Sequence, residues 1–416
     1  MKTSLRGPVR DTAFVAAACA LLIAGVASPA SSVAVVASSA AATPADATFG
    51  YRANPSYDSS VSGATAKPPF KKLWARDLGS VVSAPVAVGG RVFAVVNADQ
   101  GGEGGPRMEL VGLDAATGKD LWPQKLLTRE PAATVTFGGG LLYTQTLSGQ
   151  VRAWDPASGA LKWTVDLGNG YCQYPPTWYD NVLYTQNGRG KAVALSAGTG
   201  QRLWETPLVE NGWAPVVVDE VGVWIGFDNL AYQLLERDTG KELRRFDVPD
   251  MSGGGSNPVV LGAGALWLRN SLSDDSNAVA YDRRTGAVLR RLPADATPAF
   301  GTNRVYVANR GVVRALDTTA DYATRWTYKS PRQAATVRLV AGGFVYVQDG
   351  TGELVVLNEK TGTKAWSYRL AAEPHPMENV VAEADWSGWT VPGLATAQGR
   401  LFAPAQDGVL IAFGKA

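Results

Sequence analysis

Cysteine and histidine are nearly absent from this chain of 416 residues. It has two cysteines, Cys19 and Cys172, and one histidine, His375. So few of either excludes a disulfide framework and makes a zinc site improbable. A Ser-His-Asp triad would have to use His375, which stands between Pro374 and Pro376 in the stretch EPHPME, a poor setting for a general base. Neither a phosphate-binding loop nor a dinucleotide fingerprint is present. Helical periodicity is missing as well: the apolar residues come in short, β-branched-rich runs separated by turn residues. Long hydrophobic runs are missing save one, AFVAAACALLIAGVA at residues 13–27.

That run follows Lys2, Arg6 and Arg10 and precedes Ser28-Pro29-Ala30. A charged start, an apolar middle and a small-residue end read as a secretory signal peptide over 1–30. Cleavage is expected after Ala30 or as late as Ala47. Cys19 lies inside the apolar run, whereas a lipoprotein cysteine would end it. Removing 1–30 takes away three bases and one acid, Asp11, and leaves 36 of each sign. A neutral surface argues against nucleic acid or an anionic membrane as the main partner. Processing also leaves Cys172 alone and no membrane span. Residues 31–69 are rich in Ala, Ser, Thr and Gly and are expected to form a flexible leader, with order beginning near Phe70.

What the sequence has in abundance is glycine (46), proline (24), tryptophan (13) and repetition. An aromatic recurs in a short strand at Phe93, Tyr143, Tyr184, Trp224, Trp267, Tyr306, Tyr346 and Phe402, at spacings of 50, 41, 40, 43, 39, 40 and 56 residues. A tight turn recurs with it, Asp114–Gly118, Asp155–Gly159, Ser196–Gly200, Glu236–Gly240, Asp282–Gly286 and Asn358–Gly362. The sixth unit keeps Asp317 but lacks Thr-Gly. Four strands per repeat of this length is the signature of a β-propeller. We therefore expect an all-β, eight-bladed propeller of four-stranded blades over 70–416. The eighth unit stops after its third strand, at GVLIAFG, while KKLWARDL (71–78) is a fourth strand with no blade of its own. The N-terminal strand should complete the last blade and close the ring, because the alternative leaves two unpaired edges.

The turn glycine is required for a positive φ, and the preceding Asp or Asn can accept hydrogen bonds from the turn amides. After it comes a tryptophan, in the column Trp74, Trp122, Trp163, Trp204, Arg244, Arg290, Trp326 and Trp366. A tryptophan there can wedge between its blade and the next, burying roughly 150–250 Å², so these six are read as structural docking residues. At Arg244 and Arg290, either arginine stacks in place of tryptophan or that side of the ring is open to a partner.

The unit Gly-x-(Val/Leu)-aromatic … Leu-Asp-x-x-Thr-Gly-x-x-x-Trp resembles the tryptophan-docking repeat of quinoprotein-type propellers. These comprise the PQQ-dependent alcohol dehydrogenases and the PQQ-like repeat proteins that include BamB. The Gly-His and Trp-Asp signatures of WD40 propellers are absent. The resemblance covers about 70–416 and implies eight blades. For the dehydrogenases it implies PQQ under a ring of adjacent cysteines, Ca²⁺ held by Glu, Asn and Asp oxygens, and an Asp base. Here no adjacent cysteines exist and no matching carboxylate cluster is legible, so no catalytic residue, cofactor or metal is expected.

Ligands are expected on the face opposite the Thr-Gly turns, where the longest loops fall. Residues 97–110 are glycine-rich. Residues 169–180 carry Tyr171 and Tyr174, and 269–278 carry Asp274 and Asp275. Residues 373–392 carry Asp385, Trp386 and Trp389, two tryptophans outside the docking column. Trp213 has similar status. The expectation is an exported, monomeric, non-catalytic scaffold of the cell envelope or extracellular space, binding a protein or glycan on this loop face. A PQQ-dependent dehydrogenase and a carbohydrate- or peptide-binding sensor are the alternatives.

Overall fold

A computed structural model of the chain describes residues 45–98, 106–168, 170, 174–209, 215–227, 231–247, 259–270, 277–370, 393–405 and 407–416. Every regular element among them is a β-strand. The strands form eight antiparallel sheets of blade type, ordered from the axis outward, and the eight blades make a ring.

Blade 2 shows the pattern: Ala133–Gly138, Leu141–Thr146, Gln150–Trp154 and Leu161–Asp166, each paired with the next. Blades 3 to 6 repeat it from Thr177, Val217, Val260 and Ala299, and blade 7 from Ala335. Blade 1 departs at its inner strand, which is split into Val81–Val82 and Val86–Val88, both paired with Arg91–Asn97. Blade 8 is composite. Ala395–Ala397, Arg400–Pro404 and Val409–Lys415 come from the C-terminus, and the outer strand is Phe70–Asp77. Trp74 pairs with Ala412, so the ring closes as the repeat arithmetic requires.

Each blade's second-strand aromatic is buried, and in most blades the residue facing it on the third strand is small. Tyr143 faces Ala153, which faces Trp163; Tyr184, Ala194 and Trp204 line up the same way, as do Tyr306, Ala315 and Trp326. The alanine lets the two rings meet over it, with centroids 5.8–6.0 Å apart. This places the outer tryptophan against the next blade. Trp74, Trp122, Trp163, Trp204 and Trp326 lie on the α-carbons of Gly118, Gly159, Gly200, Gly240 and Gly362, where a Cβ would collide with the indole. The glycine therefore serves twice, since all five also have positive φ. Each indole N–H then donates to the carbonyl of the turn residue that follows the Asp, Ser, Glu or Asn, for example Trp163 to Ala197 at 3.1 Å and Trp326 to Glu359 at 2.9 Å. The Asp and Asn side chains cap their turns as expected: Asp114 Oδ1 accepts from the Ala116 and Thr117 amides and the Thr117 hydroxyl.

Three joints depart from this rule. Between blades 4 and 5, Phe246 takes the place on Gly286, and Arg244 lies over the Phe246 ring, 5.9 Å from its centroid, and donates to the Thr285 carbonyl at 3.4 Å. Between blades 5 and 6 the turn has no glycine. Asp321 and Tyr322 adopt φ of 49° and 60° instead, and Arg290 stacks 4.5 Å over the Tyr322 ring and pairs with Asp321. Of the two readings of the arginines, stacking holds at both: Arg290 stacks on Tyr322 of the next blade, and Arg244 on Phe246 of its own blade, which fills the slot. Between blades 7 and 8 there is no such turn, because the third and outer strands of blade 8, Val409–Lys415 and Phe70–Asp77, are not consecutive in the chain. Trp366 instead donates to the Phe70 carbonyl at 3.0 Å and meets the Phe70 and Phe413 rings edge-on.

Candidate functional site: the axis and the loop face

A ring of sheets has one inner strand per blade, and each leaves a row of backbone groups facing the axis. Those groups need partners. In this molecule residues 45–61 supply them. The expectation of a flexible leader over 31–69 is therefore corrected for 45–69, which are built into the ring; 31–44 lie outside the described residues. Composition misled here because it counts large apolar groups, while the order of this segment comes from backbone pairing and a few anchors.

The pairing is regular. The amides of Ala87, Phe137, Leu261, Phe300 and Val340 donate to the carbonyls of Thr48, Phe49, Ser56, Asp58 and Ser59, at 2.8–3.0 Å. These five amides stand at one register in five blades, opposite Val92, Leu142, Leu266, Val305 and Val345 on the second strands. The equivalent residue of blade 8, Thr396, donates its amide to Thr48 Oγ at 2.9 Å. Ser60–Val61 then runs parallel to Val340–Ala341 as a fifth strand of blade 7.

Blades 3 and 4 are reached by a side chain. Tyr57 is buried, and its hydroxyl lies 2.7 Å from Thr177 Oγ. Thr177 donates in turn to the Val216 carbonyl at 2.5 Å, so the Tyr57 hydroxyl is the donor in the first bond. Burial pushes the phenol pKa far above its ordinary value. Tyr51, Tyr57 and Tyr174 pack ring to ring, 5.4 Å between centroids. Arg52 is buried at the axis, with Nε donating to the Tyr57 carbonyl at 2.6 Å and Nη2 to the Pro298 carbonyl of blade 6. Asp58 holds the Ser60 amide and the Asn54 side chain, and burial raises its pKa against those bonds and the nearby Arg52. A cleft of about 280 Å³ remains beside the segment, lined in part by Phe49, Pro55, Phe137, Gly138 and Trp178.

Of the residues proposed from the sequence for the loop face, Tyr171, Trp213, Asp274, Asp275, Asp385, Trp386 and Trp389 lie outside the described residues. Tyr174 is described and is not a surface residue: it is buried against Tyr51. The axial residues Arg52, Tyr51 and Tyr57 were missed. Their signal was the run FGYRANPSYD at 49–58, a cluster of rings and charge inside a small-residue stretch.

A family model described as "Outer membrane protein assembly factor BamB" matches residues 106–223 and 228–416. The chain belongs to this family. Among curated relatives, the BamB of Nitrosomonas eutropha is 28% identical over 185 residues, and that of Moranella endobia 22% over 271. The matches span 42% and 61% of those relatives, and the same shares of this chain. A 1-butanol dehydrogenase (quinone) from Thauera butanivorans is 37% identical over 70 residues, 16% of this chain and 11% of that enzyme. In fold, BamB from Moraxella catarrhalis superposes with a TM-score of 0.57 at 17% identity, covering 83% of this chain and 99% of that one. The quinohemoprotein alcohol dehydrogenase of Comamonas testosteroni superposes at 0.61 and 14% identity, covering 89% and 81%.

The residues of this BamB-family chain do not fit PQQ with Ca²⁺. The axis is filled by the chain's own Thr48–Val61, and Cys19 and Cys172 are far apart in sequence. Among the described residues no group of three or more His, Cys, Asp or Glu could hold a metal ion.

Proposed function

We propose that this protein is a non-catalytic scaffold of the cell envelope that serves outer-membrane protein assembly by presenting its loop face to partner proteins. The observation that carries this reading is the family match across most of the ring, joined to an axis closed by the chain itself. Tyr171, Trp213, Asp274, Asp275, Asp385, Trp386 and Trp389 supply the partner-binding side chains, Trp386 and Trp389 foremost. Export follows from the signal peptide read over 1–30. The cleavage point moves upstream of Asp46. Asp46 accepts hydrogen bonds from Thr65 Oγ and the Gln398 amide, and cleavage after Ala47 would place a charged ammonium on Thr48, which is fully buried.

The test is site-specific photocrosslinking in cells of the source organism. A crosslinking residue placed at Asp275 or Trp386 should capture an envelope protein; one placed at Ala116 or Ala157, in the turns before Gly118 and Gly159, should not. Equal capture from both faces, or capture from neither, sinks the proposal. So does PQQ-dependent alcohol oxidation by the purified chain.

A further inference from the structure

The axial segment is held as a compact, turned peptide against the inner edges of the blades, and only Ser60–Val61 pairs as a strand. Its carbonyls meet one equivalent amide in blade after blade, and its side chains fill separate pockets: Arg52 on the Pro298 carbonyl, Tyr57 on Thr177. It also folds on itself, through Phe49 to Ala53, Ala53 to Gly50, Tyr57 to Asn54 and Ser59 to Arg52. Four of its non-glycine residues, Arg52, Ala53, Tyr57 and Ser59, have φ of 50°, 75°, 54° and 64°, a conformation that L-residues rarely adopt. Toward the blade 8 outer strand the chain passes through Thr65 and Lys67, both exposed. Beside blades 2 and 3 a cleft runs along the segment at Asn54, Pro55 and Ser60, while Arg52, Tyr57 and Ser59 are buried.

We propose that the axial rim is a peptide-binding site and that residues 45–61 are its ligand in cis. A segment that takes the same turned form and offers the same anchors, a guanidinium and a phenol five residues apart, exchanges for it in trans. This site bears on the axial closure that supports the scaffold reading, and its test reads the axial segment alone, whereas the loop-face reading stands or falls by its own crosslinking.

A protease recognition sequence inserted between Lys67 and Pro68 of the full chain allows cutting after folding. The expected result is that the ring stays folded by near-ultraviolet circular dichroism. The N-terminal fragment should remain bound, and an excess of a fluorescent peptide of residues 45–67 should displace it, read by anisotropy and intact mass. The same peptide with Arg52→Ala should bind at least tenfold more weakly. A ring that unfolds on cutting or on loss of the fragment overturns the proposal, as does a fragment that cannot be displaced or binding indifferent to Arg52. In the uncut chain, Arg52→Ala should speed hydrogen exchange of amides 48–61 while the second and third strands of the blades keep their protection. If the blades lose protection together with the segment, the segment is core and not ligand.

Discussion

The outer circumference and the axis of this ring solve the same problem, joining eight blades, by opposite means. At the circumference each joint is made locally. A tryptophan from one blade lies on the turn glycine of the next and donates to its carbonyl, and the solution is copied at five joints. At the axis one non-repetitive segment bonds to seven blades, through its backbone or through Thr48 and Tyr57, and is linked to blade 4 through Thr177 of blade 3. The circumference tolerates exceptions because each joint stands alone: Phe246, Arg290 and Phe70 each repair one without disturbing the others. The axis has no such redundancy, since Arg52 and Tyr57 each occur once.

The largest expected effect lies at the circumference. Trp326→Ala empties the space over Gly362 beside Tyr306 and should cost about 3–5 kcal/mol, read as a fall in the denaturant midpoint. A loss below about 1 kcal/mol would mean the joints are not the main adhesive. At the axis, Arg52→Ala leaves the Tyr57 and Pro298 carbonyls without their charged donor and should cost about 2–3 kcal/mol by the same measurement.

The pH profiles of two aspartates sharpen the contrast, because their signs oppose. Burial raises the folded pKa of axial Asp58. Its contribution to stability is therefore present below the ordinary carboxylate pKa and is lost as pH rises through the raised one. Asp58→Asn should gain on the parent as pH rises from about 4 toward neutrality. Asp317, in the third strand of blade 6, is held well below the carboxylate range by hydrogen bonds from Thr319 and by Arg325 and Arg304. Its contribution is present above the ordinary pKa and is lost as pH falls, so the deficit of Asp317→Asn should shrink below about pH 4. Melting temperatures across pH 3–7 check both; parallel profiles for the two variants would contradict the assignment.

The smallest effect belongs to the repaired joint. Arg290→Ala removes an exposed ion pair and a stacking contact with Tyr322 and should cost about 0.5–1 kcal/mol. Arg290→Trp should not stabilise, because the facing turn offers Tyr322 where an indole needs a glycine. A clear gain in melting temperature would show that the missing glycine does not matter.

Much of the circumference was legible in the sequence, and little of the axis was. Trp163 and Gly200 announce their joint because each repeat restates it, and 71–78 announces ring closure because a fourth strand without a blade must pair with a blade lacking one. The sixth turn was legible as an exception but not its repair, since nothing local says that Tyr322 will sit under an arginine from the blade before. Tyr174 looked like a loop aromatic and is a wall of the axis. Thr48, Arg52 and Tyr57 read as leader because their partners, Thr396, Pro298 and Thr177, are more than a hundred residues distant.

By itself the sequence determined the number of blades, the strand order within each and the closure of the ring. Those follow from contacts within one repeat or between neighbours, and repetition makes such contacts visible. Only the tertiary structure decided what occupies the axis. The amides that order residues 48–61 come from inner strands spread around the ring, and they form a binding surface only once those blades are in place.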